Sequence, residues 1–202
     1  MFIVIESVVG GGKKRQPDII ASRLRSQGKT VHTLSFPDRA SVLFENIIYP
    51  CLHEDVSNTP QQRFMAFLLD QLAQTQYIER VSKNGLLVTE GYYTSTLAYQ
   101  ALFEKAMSIE DALKIAKIVK LPIPDLAIYI DTPLEKAKKV REIEEGYGDE
   151  EDFWADSLSK LDAIDGSFKK MIREQTFCKW KVVDGSKKES KVTEEILDLI
   201  QE

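Results

Sequence analysis

Phe2-Ile3-Val4-Ile5-Glu6, a short apolar run closed by an acid, leads directly into Ser7-Val8-Val9-Gly10-Gly11-Gly12-Lys13-Lys14. A strand delivering its chain into a glycine-rich loop that ends in lysine predicts a phosphate-binding loop of the G-x-x-x-x-G-K-[ST] kind. In such a loop backbone N–H groups cradle phosphate oxygens, the lysine neutralises them and the closing hydroxyl coordinates Mg²⁺. Two letters depart from that pattern: Ser7 stands for the first glycine and Lys14 for the hydroxyl residue. The candidate nucleotide-binding residues are the continuous run Ser7, Val8, Val9, Gly10, Gly11, Gly12, Lys13, Lys14 and Arg15.

Downstream, Ile19, Ile20 and Leu24 recur at helical spacing, with Pro17 tolerable in the first turn and Gly28 as a stop. Lys29 to Phe36 reads as a second strand ending at Phe36-Pro37-Asp38-Arg39, followed by a loop. Thr59-Pro60-Gln61-Gln62 opens a helix as a capping box with proline at the first position. The apolar spacing predicts one long helix from Phe64 to Val81, closed by Gly85. Leu86 to Thr89 is a compact strand leading to Glu90, and helical segments over Thr94–Lys105 and Ser108–Val119 follow. Leu126 to Ile130 is a fourth strand. Asp131-Thr132-Pro133-Leu134-Glu135 turns it into a helix, with a cap, a proline and an acid. A further helix from about Phe153 to Glu174, a strand at Trp180–Val183 and a closing helix from Val192 to Ile200 complete the order. Strands alternating with helices predict an α/β fold: a five-stranded parallel sheet with helices on both faces, its ligand beyond the carboxyl ends of the strands.

Composition is compatible with this reading. The chain has 202 residues, 43% hydrophobic and 29% charged, enough for one domain with an adequate core over residues 1–202. Cys51 and Cys178 match no metal-ligand spacing and predict reduced thiols in a cytoplasmic protein. The opening apolar run reaches Glu6 too soon for a signal peptide or membrane span. A net charge of −5 argues against a general nucleic-acid surface while leaving room for a basic nucleotide pocket.

Several separated segments, in order over nearly the whole chain, are similar to thymidylate kinase, a P-loop nucleoside monophosphate kinase family. They are the opening strand and loop, Phe36-Pro37-Asp38-Arg39, Tyr92 to Gln100, and Leu121 to Pro133. The resemblance implies a three-layer P-loop NTPase fold and transfer of the γ-phosphoryl of ATP to dTMP with Mg²⁺. It also implies a homodimer formed through packed helices, here the apolar faces of Val42–Ile48 and Phe64–Leu72, which would equally serve as core. It places Lys13 on the β- and γ-phosphates. Arg39 falls at the acceptor phosphate, with a surface ion pair as its plainer reading. Phe67 falls where a ring stacks on the base, although its apolar neighbours would also make it core. Phe36, Gln71, Ser95, Tyr99 and Gln100 belong to the acceptor side, and Glu90 is a carboxylate placed to hold Mg²⁺ through water or simply to cap a helix. The catalytic set is Lys13, Arg39 and Glu90.

Departures from the resemblance concentrate on charge. Lys14 replaces a magnesium ligand with a cation, either standing in for the metal or blocking it, and Arg15 replaces the next hydroxyl residue. Val9 replaces an aspartate at the acceptor sugar, and Gly91 replaces an arginine at the acceptor phosphate. Either Asp70 or Gln71, depending on the gap, replaces an arginine of the long helix. In the lid segment, about 141–153, Asp152 falls at the place of an arginine. Lys138, Lys139 and Arg141 read as a solvated helix face. Three functions follow as expectations: a thymidylate kinase with rearranged cations, a catalytically weak or inactive nucleotide-binding homologue, or a kinase for a different nucleoside monophosphate.

Overall fold

The computed structural model describes residues 1–52, 58–145 and 158–201. Five strands, β1 (Phe2–Glu6), β2 (Val31–Ser35), β3 (Leu86–Glu90), β4 (Leu126–Asp131) and β5 (Trp180–Asp184), form one parallel sheet in the order β2-β3-β1-β4-β5. All five strands match the sequence expectation to within two residues at their ends. β1 is central, and its in-out alternation divides the core. Phe2 and Val4 join Leu87, Ala127 and Tyr129 on one face; Ile3 and Ile5 join Val88, Ile128 and Ile130 on the other. Both faces are covered, which is why β1 is apolar at every position but its last.

Helix α1 (Gln16–Ser26) places Ile20, Ala21 and Leu24 on the second face, beside Val192, Ile196 and Leu197 of the closing helix, Glu189–Gln201. The first face carries the other helices. After β2 the expected loop is in part helical: a π-helical turn over Phe44–Ile48 continues into α2 (Tyr49–Leu52). Helix α3 (Pro60–Ala73) starts with the expected capping box, in which Thr59 Oγ1 accepts from the Gln62 N–H and the Gln62 side chain accepts from the Thr59 N–H. The single long helix is instead two, α3 and α4 (Thr75–Asn84), which break at Gln74. Apolar spacing runs through that junction, so periodicity alone does not register it. The Gln74 side chain leaves the helix surface to donate to Asp38 Oδ2.

Beyond β3, α5 (Tyr93–Thr96) runs into a π-helical stretch, Leu97–Phe103, and α6 (Ile109–Ile118) is capped by Ser108. Helix α7 (Leu134–Glu145) follows β4, and α8 (Leu158–Glu174) and α9 (Glu189–Gln201) flank β5. Thr132, expected to cap α7, is buried and donates its hydroxyl to Gly11 O instead. The lid expectation over residues 146–153, Asp152 included, lies outside the described residues. Among the described residues no helix is long and apolar enough to cross a membrane. Cys51 and Cys178 are free thiols.

Candidate nucleotide-binding cleft

A cleft of about 990 Å³ opens beyond the carboxyl ends of the strands, between the loop after β1 and the segments that follow β2 and β3. This is the switch point of a parallel sheet: α1 carries the chain from β1 toward one edge, while β4 and β5 extend the sheet on the other side.

The loop's shape follows from its glycines. Gly10 has φ of +73°, and a Cβ there would stand 2.1 Å from the carbonyl oxygen of Ala137 in α7. Only glycine combines that left-handed backbone with so close an approach. Ser7, in the place of the first glycine, has no positive φ, so the change costs no backbone strain. Its side chain is buried beneath Gly11, and its hydroxyl donates to Val8 O. Ser7 and Val8 therefore support the loop from behind, whereas Val9 to Arg15 line the cleft. Lys13 folds back over the loop, its ammonium donating to the carbonyls of Ser7 at 3.2 Å and Val8 at 3.5 Å. Arg15, at the start of α1, pairs with Glu189 at 3.4 Å, and both side chains are largely exposed.

At the far end of the cleft Phe36, Arg39, Phe67, Gln71, Glu90, Ser95, Tyr99 and Gln100 come together from five separate segments. Phe67 is at once buried against the core and exposed to the cleft, so its two sequence readings are compatible. Arg39 has no acidic partner in ion-pair range among the described residues; its guanidinium carbon lies 5.9 Å from the Phe44 ring centroid. The ambiguity between Asp70 and Gln71 resolves in space. Asp70 is buried and accepts from the Asp38 N–H at 3.0 Å, which ties α3 to the segment carrying Arg39, while Gln71 faces the cleft. Gln71 donates to Thr96 Oγ1 at 2.8 Å, and its side-chain carbonyl has no partner. Burial pushes the Asp70 carboxyl up to about 6, with the Asp38 N–H opposing and the Asp38 carboxylate adding to the rise.

Glu6 is a residue that sequence reasoning passed over. Fully buried at the end of β1, it accepts hydrogen bonds from Thr94 Oγ1 at 2.5 Å and Ser95 Oγ at 2.7 Å. Burial raises its pKa to about 7 against the lowering effect of those hydroxyls and of Lys13. The signal was a single acid closing an apolar strand immediately before a phosphate loop. Its partners lie 88 and 89 residues away, so nothing local disclosed them. Thr132, read from the sequence as a helix cap, and Lys136 and Lys187, which no motif marked, also line the cleft.

A metal held directly by the loop does not fit the donors present. The position of the coordinating hydroxyl is Lys14. The nearby hydroxyls all donate within the protein: Ser7 to Val8 O, Thr132 to Gly11 O, Thr94 and Ser95 to Glu6. Among the described residues no group of three or more His, Cys, Asp or Glu could hold a metal ion. Glu90 lines the cleft, as do the carboxylates of Asp18, Asp38 and Glu189.

A strand, a glycine-rich loop and a helix set at the switch point of an all-parallel sheet define a P-loop α/β protein that binds nucleotides. The sequence model of the family described as thymidylate kinase matches residues 5–196. Relatives carry the same name. A thymidylate kinase of Carboxydothermus hydrogenoformans is 28% identical, aligned over 99% of this chain and 96% of its own length. A Saccharolobus solfataricus protein named "Probable thymidylate kinase 1" is 25% identical over the same shares. A Methanosphaera stadtmanae protein named "Probable thymidylate kinase" is 31% identical over 69% of this chain and 71% of its own. The chain belongs to the thymidylate kinase family.

Proposed function

We propose that this cleft transfers the γ-phosphoryl group of ATP to the 5′-phosphate of dTMP, giving dTDP. The observation that carries the reading is the continuity of one cleft from the loop of Gly10 to Lys13 to the aromatic and amide pocket of Phe36, Phe67, Tyr99 and Gln100. Such transfer depends on positioning and on neutralising charge more than on covalent chemistry by the protein. The loop N–H groups and Lys13 hold the donor phosphates; Lys13 exchanges its two carbonyl contacts for phosphate oxygens. Arg39 receives the acceptor phosphate through a planar guanidinium. Phe67 offers a face to the base, and Gln71 and Gln100 supply amides to its edge. Asp70 keeps Arg39 in register by holding the Asp38 N–H.

Arg39 is the one cation among the described residues of the acceptor end. Loss of one arginine from a phosphoryl-transfer site lowers turnover by ~10³-fold or more, so the chain is expected to be a slow kinase. That same observation favours a second reading, a homologue that binds nucleotide without turnover. A coupled ADP-release assay with ATP and each of dTMP, dUMP, UMP, CMP, AMP and GMP separates them. Turnover with dTMP that Lys13→Ala abolishes supports the first. Turnover confined to another acceptor reassigns the substrate, and thermal stabilisation by ATP without ADP release leaves the second.

Two further features belong to the reading. Val42, Ile47 and Tyr49 are exposed on or beside the Phe44–Leu52 segment that packs on α3, which itself exposes Met65 and Leu69 one helical turn apart, and these apolar side chains support a homodimer. Light scattering after size exclusion checks it: a monomer at micromolar concentration would remove the dimer from the proposal. Two free thiols and nucleotide substrates support a cytoplasmic location.

A further inference from the structure

The donor end of the cleft carries an arrangement of charge that the family reading does not by itself require. Lys13, Lys14 and Arg15 follow one another where the loop turns into α1, and all three line the cleft. Three adjacent cations at a helix start oppose the helix dipole, and Glu189 offsets Arg15 through an ion pair at 3.4 Å. Lys136, from the first turn of α7, enters the same wall. Its ammonium is held by the carbonyls of Gly185, Ser186 and Lys187 at 2.9, 3.3 and 3.2 Å. Fixed donors and fixed positive charge are thus supplied by the protein itself at the end of the cleft shaped for phosphates. The ligating hydroxyl is gone, and the neighbouring hydroxyls donate to Val8 O, Gly11 O and Glu6.

We infer that Lys14 supplies the charge a loop-bound Mg²⁺ would bring, so that this cleft takes the nucleoside triphosphate in its metal-free form. A dication placed beside Lys14 would meet its ammonium and lack the hydroxyl ligand that this position supplies in the usual motif. A triphosphate without metal presents its full negative charge to Lys13, Lys14 and Lys136 and satisfies their donors. The two forms of the nucleotide therefore compete, and the loop favours the more negative one. This rests on ATP being the donor, as proposed above.

The test is calorimetric titration of ATP into the full-length protein without acceptor, once in EDTA and once in excess MgCl₂. The same pair of titrations is run on Lys14→Thr. Wild type should bind ATP in EDTA at least as tightly as in MgCl₂. Lys14→Thr should lose ~10-fold in metal-free affinity and gain a preference of ~10-fold or more for the magnesium form. Lys14 is exposed, so the variant should keep the wild-type melting temperature; should it not, the wild-type ratio alone decides. Binding of the magnesium form by wild type ten times or more tightly overturns the inference and leaves ATP as donor. An unchanged ratio in a folded Lys14→Thr also overturns it. Absence of binding in either buffer overturns both the inference and the donor assignment.

Discussion

The two ends of the cleft have diverged unequally from the family pattern. At the end proposed for the donor the cleft wall is a backbone loop, held in shape by Gly10 against the Ala137 carbonyl and by Thr132 against Gly11 O. Side chains there have been exchanged, Ser7 for glycine and Lys14 for a hydroxyl, without distorting the loop. At the end proposed for the acceptor the wall is made of side chains from the segment after β2 and from α3, β3 and α5, so each substitution there changes the group that the cleft presents. Gly91 has no side chain, and Gln71 offers an amide in place of a guanidinium. A site built from main chain tolerates exchange of its side chains; a site built from side chains does not.

This contrast can be broken at either end. Lys13→Ala removes a donor-end charge that no backbone group replaces, and kcat in the ADP-release assay should fall by ~10²–10³-fold. A smaller fall would mean that Lys14 takes over its role. Gly10→Ala tests the backbone claim. A methyl group 2.1 Å from the Ala137 carbonyl, in a left-handed conformation, should cost about 2–4 kcal/mol by chemical denaturation and abolish ATP binding. Wild-type stability in that variant would show that α7 yields, and that the cradle is not rigid.

Between the two ends lies Glu6, which joins the strand before the loop to the helix of the acceptor side. Its pKa in the folded protein is raised from 4.5 to about 7, so the folded state retains the proton that the unfolded chain releases. Its contribution to stability is therefore full below about pH 4.5 and is lost as pH rises to about 7. By linkage the loss is ~3 kcal/mol. Asp70, raised from 3.8 to about 6, acts with the same sign over a lower window. Melting temperature followed from pH 4.5 to 7.5 should decline in wild type and decline less in Glu6→Gln. Parallel curves would mean that Glu6 is ionised throughout, held by Lys13 and the two hydroxyls. The smallest effect is expected from Gln71→Arg, which returns a cation to the acceptor end. KM for dTMP should fall ~10-fold with ATP affinity unchanged, and a change in ATP affinity alone would mean that Gln71 does not face the acceptor.

Much of this was legible along the chain. The cleft-lining positions Phe36, Arg39, Phe67, Gln71, Ser95, Tyr99 and Gln100 were legible only through the family resemblance, whereas the glycine-rich loop, the alternation of strands and helices and the Thr59 and Ser108 caps have local or motif signals. Each depends on a few consecutive residues or on a fixed period, which a sequence displays directly. The break at Gln74 was not legible, because apolar spacing continues through it and its cause is Asp38, 36 residues away. Nor was the choice between Asp70 and Gln71, since adjacent helical residues differ in direction by about 100° and only packing decides which one faces the cleft. Thr132 carries the letters of a helix cap but bonds to Gly11, a loop 121 residues distant. The sequence by itself determined the parallel α/β sheet and its phosphate loop, because strand period and backbone conformation are local properties. Only the tertiary structure decided which polar groups are spent on the protein and which remain for a ligand, because a hydroxyl, an amide or a carboxylate takes its role from partners brought near by folding.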